Sequence, residues 1–147
     1  MKEQHLKWAA VFLRFGFGLL LIFSSYSKII HPWEFSIDIE NYRIVGEGIS
    51  RLVAVWLPYL ELILAILLIT GIWINAAVVI NYLLMQLFFL LVLQAYIRRL
   101  DINCGCFNPG GDATIGLLKI IENILFLGLS VVLLIIHFKH YQSKKII

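Results

Sequence analysis

The sequence predicts an all-α integral membrane protein: a bundle of four spanning helices with a short interfacial segment between the first and second. Composition and pattern carry this prediction. Of 147 residues, 61% are hydrophobic and 14% charged, where a soluble domain carries roughly a quarter charged residues. The mean hydropathy is +0.92. The apolar residues gather into four runs, each near or above the ~20 residues that a bilayer-spanning helix needs.

The first run extends from about Trp8 to Ile30. It is long and lacks a small-x-small cleavage site, so it is expected to stay as a helix. The segment from His31 to Ser50 follows. Here Trp33, Phe35, Ile37 and Ile39 alternate like a strand, while Phe35, Ile39 and Tyr42 fall on one helical face. A strand would have nothing to pair with, so an amphipathic helix at the interface is expected. The second run spans about Ile49 to Trp73 and the third about Asn75 to Ile97. The tight turn around Gly71 and Asn75 makes this pair antiparallel. Pro58 is expected to kink the second span. The fourth run spans about Ile115 to Phe138, with Asp112 or Thr114 as its N-cap. No internal repeat divides residues 1–147, which read as one four-span domain.

The net charge of +3 is small and too confined to the ends to suggest nucleic acid as a partner. Four spans put both termini on one side. Lys2, Lys7, Lys139, Lys144 and Lys145 lie there, against Lys28, Arg43, Arg51, Arg98 and Arg99 on the other. The counts tie. The opposite face also holds Glu34, Asp38, Glu40, Glu47, Asp101 and Asp112, whereas the ends are basic. Cysteines, moreover, are more useful in an oxidising compartment. The expected orientation therefore has cytoplasmic termini and an outer cysteine loop.

Polar side chains within the spans usually face the bundle interior. Arg14 and Glu61 lie about 10 and 14 Å in from the terminal side at 1.5 Å per residue, so an interhelical Arg14–Glu61 pair is expected to brace the bundle. Glu122 and Asn123 sit about two turns into the fourth span, with Lys119 a turn above. Glu122 has Lys119 or Lys28 as candidate partners, or acts as a proton acceptor below the thiols. Gln86, Gln94 and Asn81 are expected to serve as interhelical hydrogen-bond glue.

The chemistry concentrates in Asp101-Ile-Asn-Cys104-Gly-Cys106-Phe-Asn-Pro-Gly-Gly-Asp112, which holds both cysteines. Glycine at 105 permits the tight backbone that a bond across one residue requires. Such a disulfide is cramped and easier to reduce than a relaxed one. It closes too short a loop to brace anything. Thiolates are favoured by positive charge and by helix N-termini; Arg98, Arg99, Lys28 and the start of the fourth span all lie toward this face. A plain structural disulfide, or two free thiols, is the competing reading. No metal site is assigned, since the two cysteines with His31 would supply only three ligands.

Several segments together resemble a known family: Leu13-Arg14-Phe15-Gly16, Lys28 with Pro32, Asp38-Ile-Glu-Asn-Tyr42, Leu57-Pro-Tyr-Leu-Glu61-Leu-Ile63, Gly71, and Cys104-Gly-Cys-Phe107. In this order they are similar to the DoxX-like superfamily, specifically its methylamine-utilisation MauE branch. The sequence departs from the pattern at Asn108-Pro109-Gly110-Gly111, where a glycine commonly follows the phenylalanine. The resemblance implies a small four-helix protein of the bacterial inner membrane, linked to thioredoxin-like partners and to disulfide formation in periplasmic clients.

The expected function is thus thiol–disulfide exchange, with Cys104 and Cys106 as the couple and Lys28, Glu122, Arg98 and Arg99 as flanking side chains. One cysteine pair leaves electrons to pass straight to a quinone in the bundle or to a partner's thiols. No cofactor is required, and quinone is the candidate one. Tyr26, Trp56, Tyr59, Tyr96 and Phe107 are candidate walls of an aromatic pocket, unless they form an interfacial belt. The alternative is a non-catalytic membrane subunit or maturation factor with a structural cysteine loop. A small-solute carrier is disfavoured by four spans without a repeat.

Overall fold

A computed structural model describes the backbone of residues 2–100, 102 and 116–145 and the side chains of 4–100, 102 and 116–139. Among the described residues five helices follow one another: α1 (Lys2–Ile30), α2 (Pro32–Asn41), α3 (Glu47–Thr70), α4 (Ile74–Ile97) and α5 (Leu117–Lys145). No strand occurs among the described residues. Among the described residues four segments are long and apolar enough to cross a membrane: Gln4–Ile30, Glu47–Thr70, Ile74–Ile97 and Leu117–Lys139. The predicted spans are recovered, with α1 and α5 longer at the chain ends than apolar runs alone indicate. Lys2, Lys7 and Lys139 lie within these helices.

Helix α1 packs chiefly on α3, α4 on α5, and α2 on α3. The interior is formed by Phe17, Leu21, Leu64, Ala65, Leu68, Val78, Met85 and Leu133. Phe12, Leu19, Phe23, Trp56 and Ile63 point outward and are well exposed, as side chains that contact lipid tails must be. Helices in lipid associate through close backbone approach, and Gly18 supplies it here. A Cβ at that position would stand 2.5 Å from Ile69 Cγ1.

The α3–α4 turn is built from two left-handed residues, Gly71 at φ 77° and Trp73 at φ 48°. Gly71 donates its N–H to Leu67 O at 2.9 Å, closing α3 with an αL cap. This end of the bundle, the turn end, also holds Arg14 and a 2.6 Å contact between His137 Nε2 and Asn75 Oδ1. Pro58 is buried inside α3, where its missing N–H removes one helical hydrogen bond.

Helix α2 resolves the two readings of the first loop. Phe35 and Tyr42 are buried while Trp33 and Ile37 are exposed, so the helical face, not the alternating one, turns inward. His31 precedes α2 and Pro32 occupies its first turn, where a missing N–H is harmless. Helix α2 lies at the opposite end of the bundle, the loop end, with Arg98, Leu100, Ile102 and the start of α5.

Candidate functional site

At the loop end, Lys28 Nζ stands 2.5 Å from Glu61 Oε1, with the side chains 1% and 0% exposed. Ser24 Oγ makes a longer 3.4 Å contact with Glu61 Oε2. The ammonium also faces two aromatic rings, its nitrogen 5.0 Å from the centroid of Phe35 and 5.1 Å from that of Phe88. These cation–π contacts and the carboxylate together compensate a charge withdrawn from water.

This arrangement corrects the expected Arg14–Glu61 pair. Arg14 donates from Nε to Leu68 O at 3.1 Å, and its guanidinium fills the space beside Gly71. The reason lies in the register of α1 against α3. Arg14 meets Leu68, Gly18 abuts Ile69 and Ser24 reaches Glu61, so Arg14 lies roughly 10–15 Å below the level of Glu61 at 1.5 Å per residue. Helical side chains also lean toward their own N-terminus. In an antiparallel pair, Lys28 and Glu61 therefore lean toward each other, and Arg14 leans away from Glu61. Both residue types were visible in the sequence, and this lean was the signal that selects Lys28.

Beside the pair lies an apolar cavity of about 270 Å³, bounded by α2, α3 and α4. Lys28, Phe35, Tyr42, Leu57, Phe88 and Val92 are among its walls. Tyr42 is 7% exposed; its burial, and then the nearby Asp38, push its phenol well above the usual range, so the hydroxyl stays neutral. Tyr26, Trp56, Tyr59 and Tyr96 do not wall this cavity. They are 64%, 70%, 52% and 41% exposed, in keeping with an interfacial belt, because their positions on α1, α3 and α4 face away from the bundle. Phe107 lies outside the described residues.

Glu122 is placed in the second turn of α5 with its carboxylate 2.8 Å from Lys119 Nζ. Of its two candidate partners it takes Lys119, since Lys28 is engaged by Glu61. Arg98 donates to Tyr42 O at 3.4 Å. Arg98 and Arg99 join Asn41, Arg43, Leu100 and Ile102 around an open hollow. Arg43 and Arg99 both have left-handed backbones, at φ 52° and 50°. Cys104, Cys106 and the expected caps Asp112 and Thr114 lie outside the described residues. The chain is described as far as Ile102, which packs against a cluster of Tyr42, Val92 and Ala95. Two of these, Tyr42 and Val92, also wall the cavity.

The expected interhelical hydrogen bonds of Asn81 and of Gln94 Oε1 are not made among the described residues. Asn81 is fully buried, yet neither its amide nitrogen nor its oxygen finds a hydrogen-bond partner there. No cluster of three or more His, Cys, Asp or Glu side chains suited to a metal ion occurs among the described residues.

Four apolar spanning helices and a buried Lys–Glu pair at one end define a multi-pass helical membrane protein. The family model described as methylamine utilisation protein MauE matches residues 6–136, and the chain belongs to the MauE family. It is 32% identical over 124 residues to the methylamine utilization protein MauE of Paracoccus denitrificans, covering 84% of this chain and 65% of that protein. It is 33% identical over 100 residues to the protein of the same name from Methylorubrum extorquens, strain AM1, covering 67% of this chain and 54% of the relative. The chain thus spans less than two thirds of the length of either relative. No solved structure matches it.

Proposed function

We propose that this protein is the membrane component of a thiol–disulfide exchange system, with Cys104 and Cys106 as its redox couple. The supporting observation is the seating of Ile102, two residues before Cys104, on Tyr42, Val92 and Ala95 at the loop end. Ile102 sits at the end of the bundle that carries the buried ammonium and the cavity, and we read the cysteine couple that follows it in sequence as serving that end. Arg43, Arg98 and Arg99 gather around Ile102, and such positive charge favours the thiolate that exchange requires.

In the reaction, a dithiol on a thioredoxin-like or periplasmic partner attacks the Cys104–Cys106 disulfide. A mixed disulfide forms, the partner's second thiol resolves it, and two electrons with two protons come to rest on Cys104 and Cys106. Regenerating the disulfide needs a two-electron, two-proton acceptor, and a membrane quinone, becoming quinol, is one of the right class. The setting suggested by the relatives' names is methylamine utilisation, and kinship with the DoxX-like superfamily is part of the same reading. The location is the bacterial inner membrane, with cytoplasmic termini and an outer cysteine loop. A membrane-impermeant maleimide should then label the cysteines of intact cells after mild reduction.

The alternative is a non-catalytic membrane subunit or maturation factor. The buried Lys28–Glu61 pair favours it in one respect, since such a pair fixes helix register without chemistry. Replacing Cys106 by serine separates the two. The exchange reading expects a mixed disulfide between Cys104 and a thioredoxin-like partner, resolved by dithiothreitol. Partner capture that survives removal of both cysteines would instead support the anchoring role.

A further inference from the structure

The cavity at the loop end joins an apolar lining to a buried cation. Its walls are almost wholly apolar, and Lys28 brings the side chain of a cation to them. Lysine has three N–H donors, and Glu61 Oε1 is the acceptor the described residues supply. The rest of the ammonium faces Phe35 and Phe88, so donor capacity remains beside an apolar space. Rim residues Ile44 and Leu87 are 53% and 48% exposed, which leaves a way in between the helices.

From these observations we propose that the cavity binds the head of a membrane quinone, with Lys28 Nζ donating to one carbonyl oxygen. The size agrees: an apolar cavity of roughly 150 Å³ holds benzene, and about 270 Å³ takes a substituted six-membered ring. Charge agrees as well. Lys28 and Glu61 already neutralise one another, so the third partner must be a neutral acceptor; a phosphate headgroup would bring an unbalanced charge into an apolar space. An acyl chain would fill the cavity but leave the ammonium donors unanswered. The flat faces of Phe35 and Phe88 suit an electron-poor ring. The isoprenoid tail leaves past Ile44 and Leu87.

The binding step stands on the cavity alone, whereas the use of the ligand rests on the thiol–disulfide reading. In that use Cys104 and Cys106 lose two electrons and two protons as their S–S bond forms, and the quinone takes both up as quinol. Lys28 then acts by holding the carbonyl oxygen on which electron density builds.

The test uses the full chain in phospholipid nanodiscs with an azido-substituted benzoquinone bearing a decyl tail. Photolabelling should map to α2, α3 and α4 residues at the cavity and be competed by decylubiquinone. Leu91→Trp and, separately, Val53→Trp should fill the space and reduce labelling at least tenfold while leaving the thermal melt near wild type. Lys28→Met should reduce labelling; if that variant does not fold, the two filling variants decide. Labelling scattered over lipid-facing residues such as Phe12 and Trp56, unchanged by the filling variants, would overturn the proposal. So would equal labelling of the cavity by a photoreactive fatty acid that decylubiquinone does not displace. The Cys104→Ser/Cys106→Ser variant should label as wild type. Cavity labelling without any thiol exchange would sink the redox reading and keep the site. Exchange without cavity labelling would do the reverse.

Discussion

Lys28 on α1 and Glu61 on α3 form an ion pair at 2.5 Å in which neither side chain is more than 1% exposed. Removing one member of such a pair leaves a buried charge without its counterpart, a loss of about 3–5 kcal/mol. We therefore expect Lys28→Met to destabilise the bundle strongly and Lys28→Met/Glu61→Leu to recover much of that loss. A double-mutant cycle in detergent unfolding measures the coupling. Arg14→Leu should combine additively with Glu61→Leu, because Arg14 bonds Leu68 O instead.

Gly71 is the second site where sequence and geometry are tightly linked. Its φ of 77° is unfavourable to a residue with a side chain, and a Cβ there would stand 2.5 Å from the Arg14 guanidinium. Gly71→Ala should lose about 1–3 kcal/mol. Because the nearest atom is the end of a flexible side chain, Arg14→Ala in the same chain should relieve the steric part and leave the backbone part. Unfolding midpoints of the single and double variants report the split.

Helix number, the tight α3–α4 turn and the inward face of α2 were legible in the sequence because each follows from local pattern. Phe35 and Tyr42 share a helical face wherever the segment sits, and Gly71 marks a left-handed cap on its own. The partner of Glu61 was not legible from depth counting. Apolar runs place helix ends only roughly, and α1 begins at Lys2, not near Trp8. The offset between α1 and α3 is set by the packing of Gly18 against Ile69 and Ala65, a long-range fact. Phe88 as a wall of the site was faintly marked: α4 is apolar on most of its surface, and Asn81, seven residues earlier on the same helical face and fully buried, was the one polar sign of that inner side.

Tyr42 gives the account a pH signature. Burial and Asp38 raise its phenol in the folded protein, while an unfolded tyrosine ionises near pH ~10. The contribution to stability is thus intact below about pH 10 and declines above it, by roughly 1.4 kcal/mol per pH unit. Tyr42→Phe should flatten the fall in melting temperature between roughly pH 9.5 and 11. A fall of equal steepness in the variant would mean that Tyr42 ionises in the fold as easily as in the unfolded chain.

The central claim is that Cys104 and Cys106 exchange electrons and do not brace the fold. A glutathione redox titration of the purified protein, with mass mapping of the two cysteines, tests it most directly. Closing a bond across Gly105 strains the loop, so the couple should titrate above the roughly −300 mV typical of structural disulfides. Cys104→Ser and Cys106→Ser should each keep the wild-type melt, since so short a closed loop removes little chain entropy. A midpoint far below that threshold, together with unfolding of the single-cysteine variants, would make the bond a brace and contradict the account.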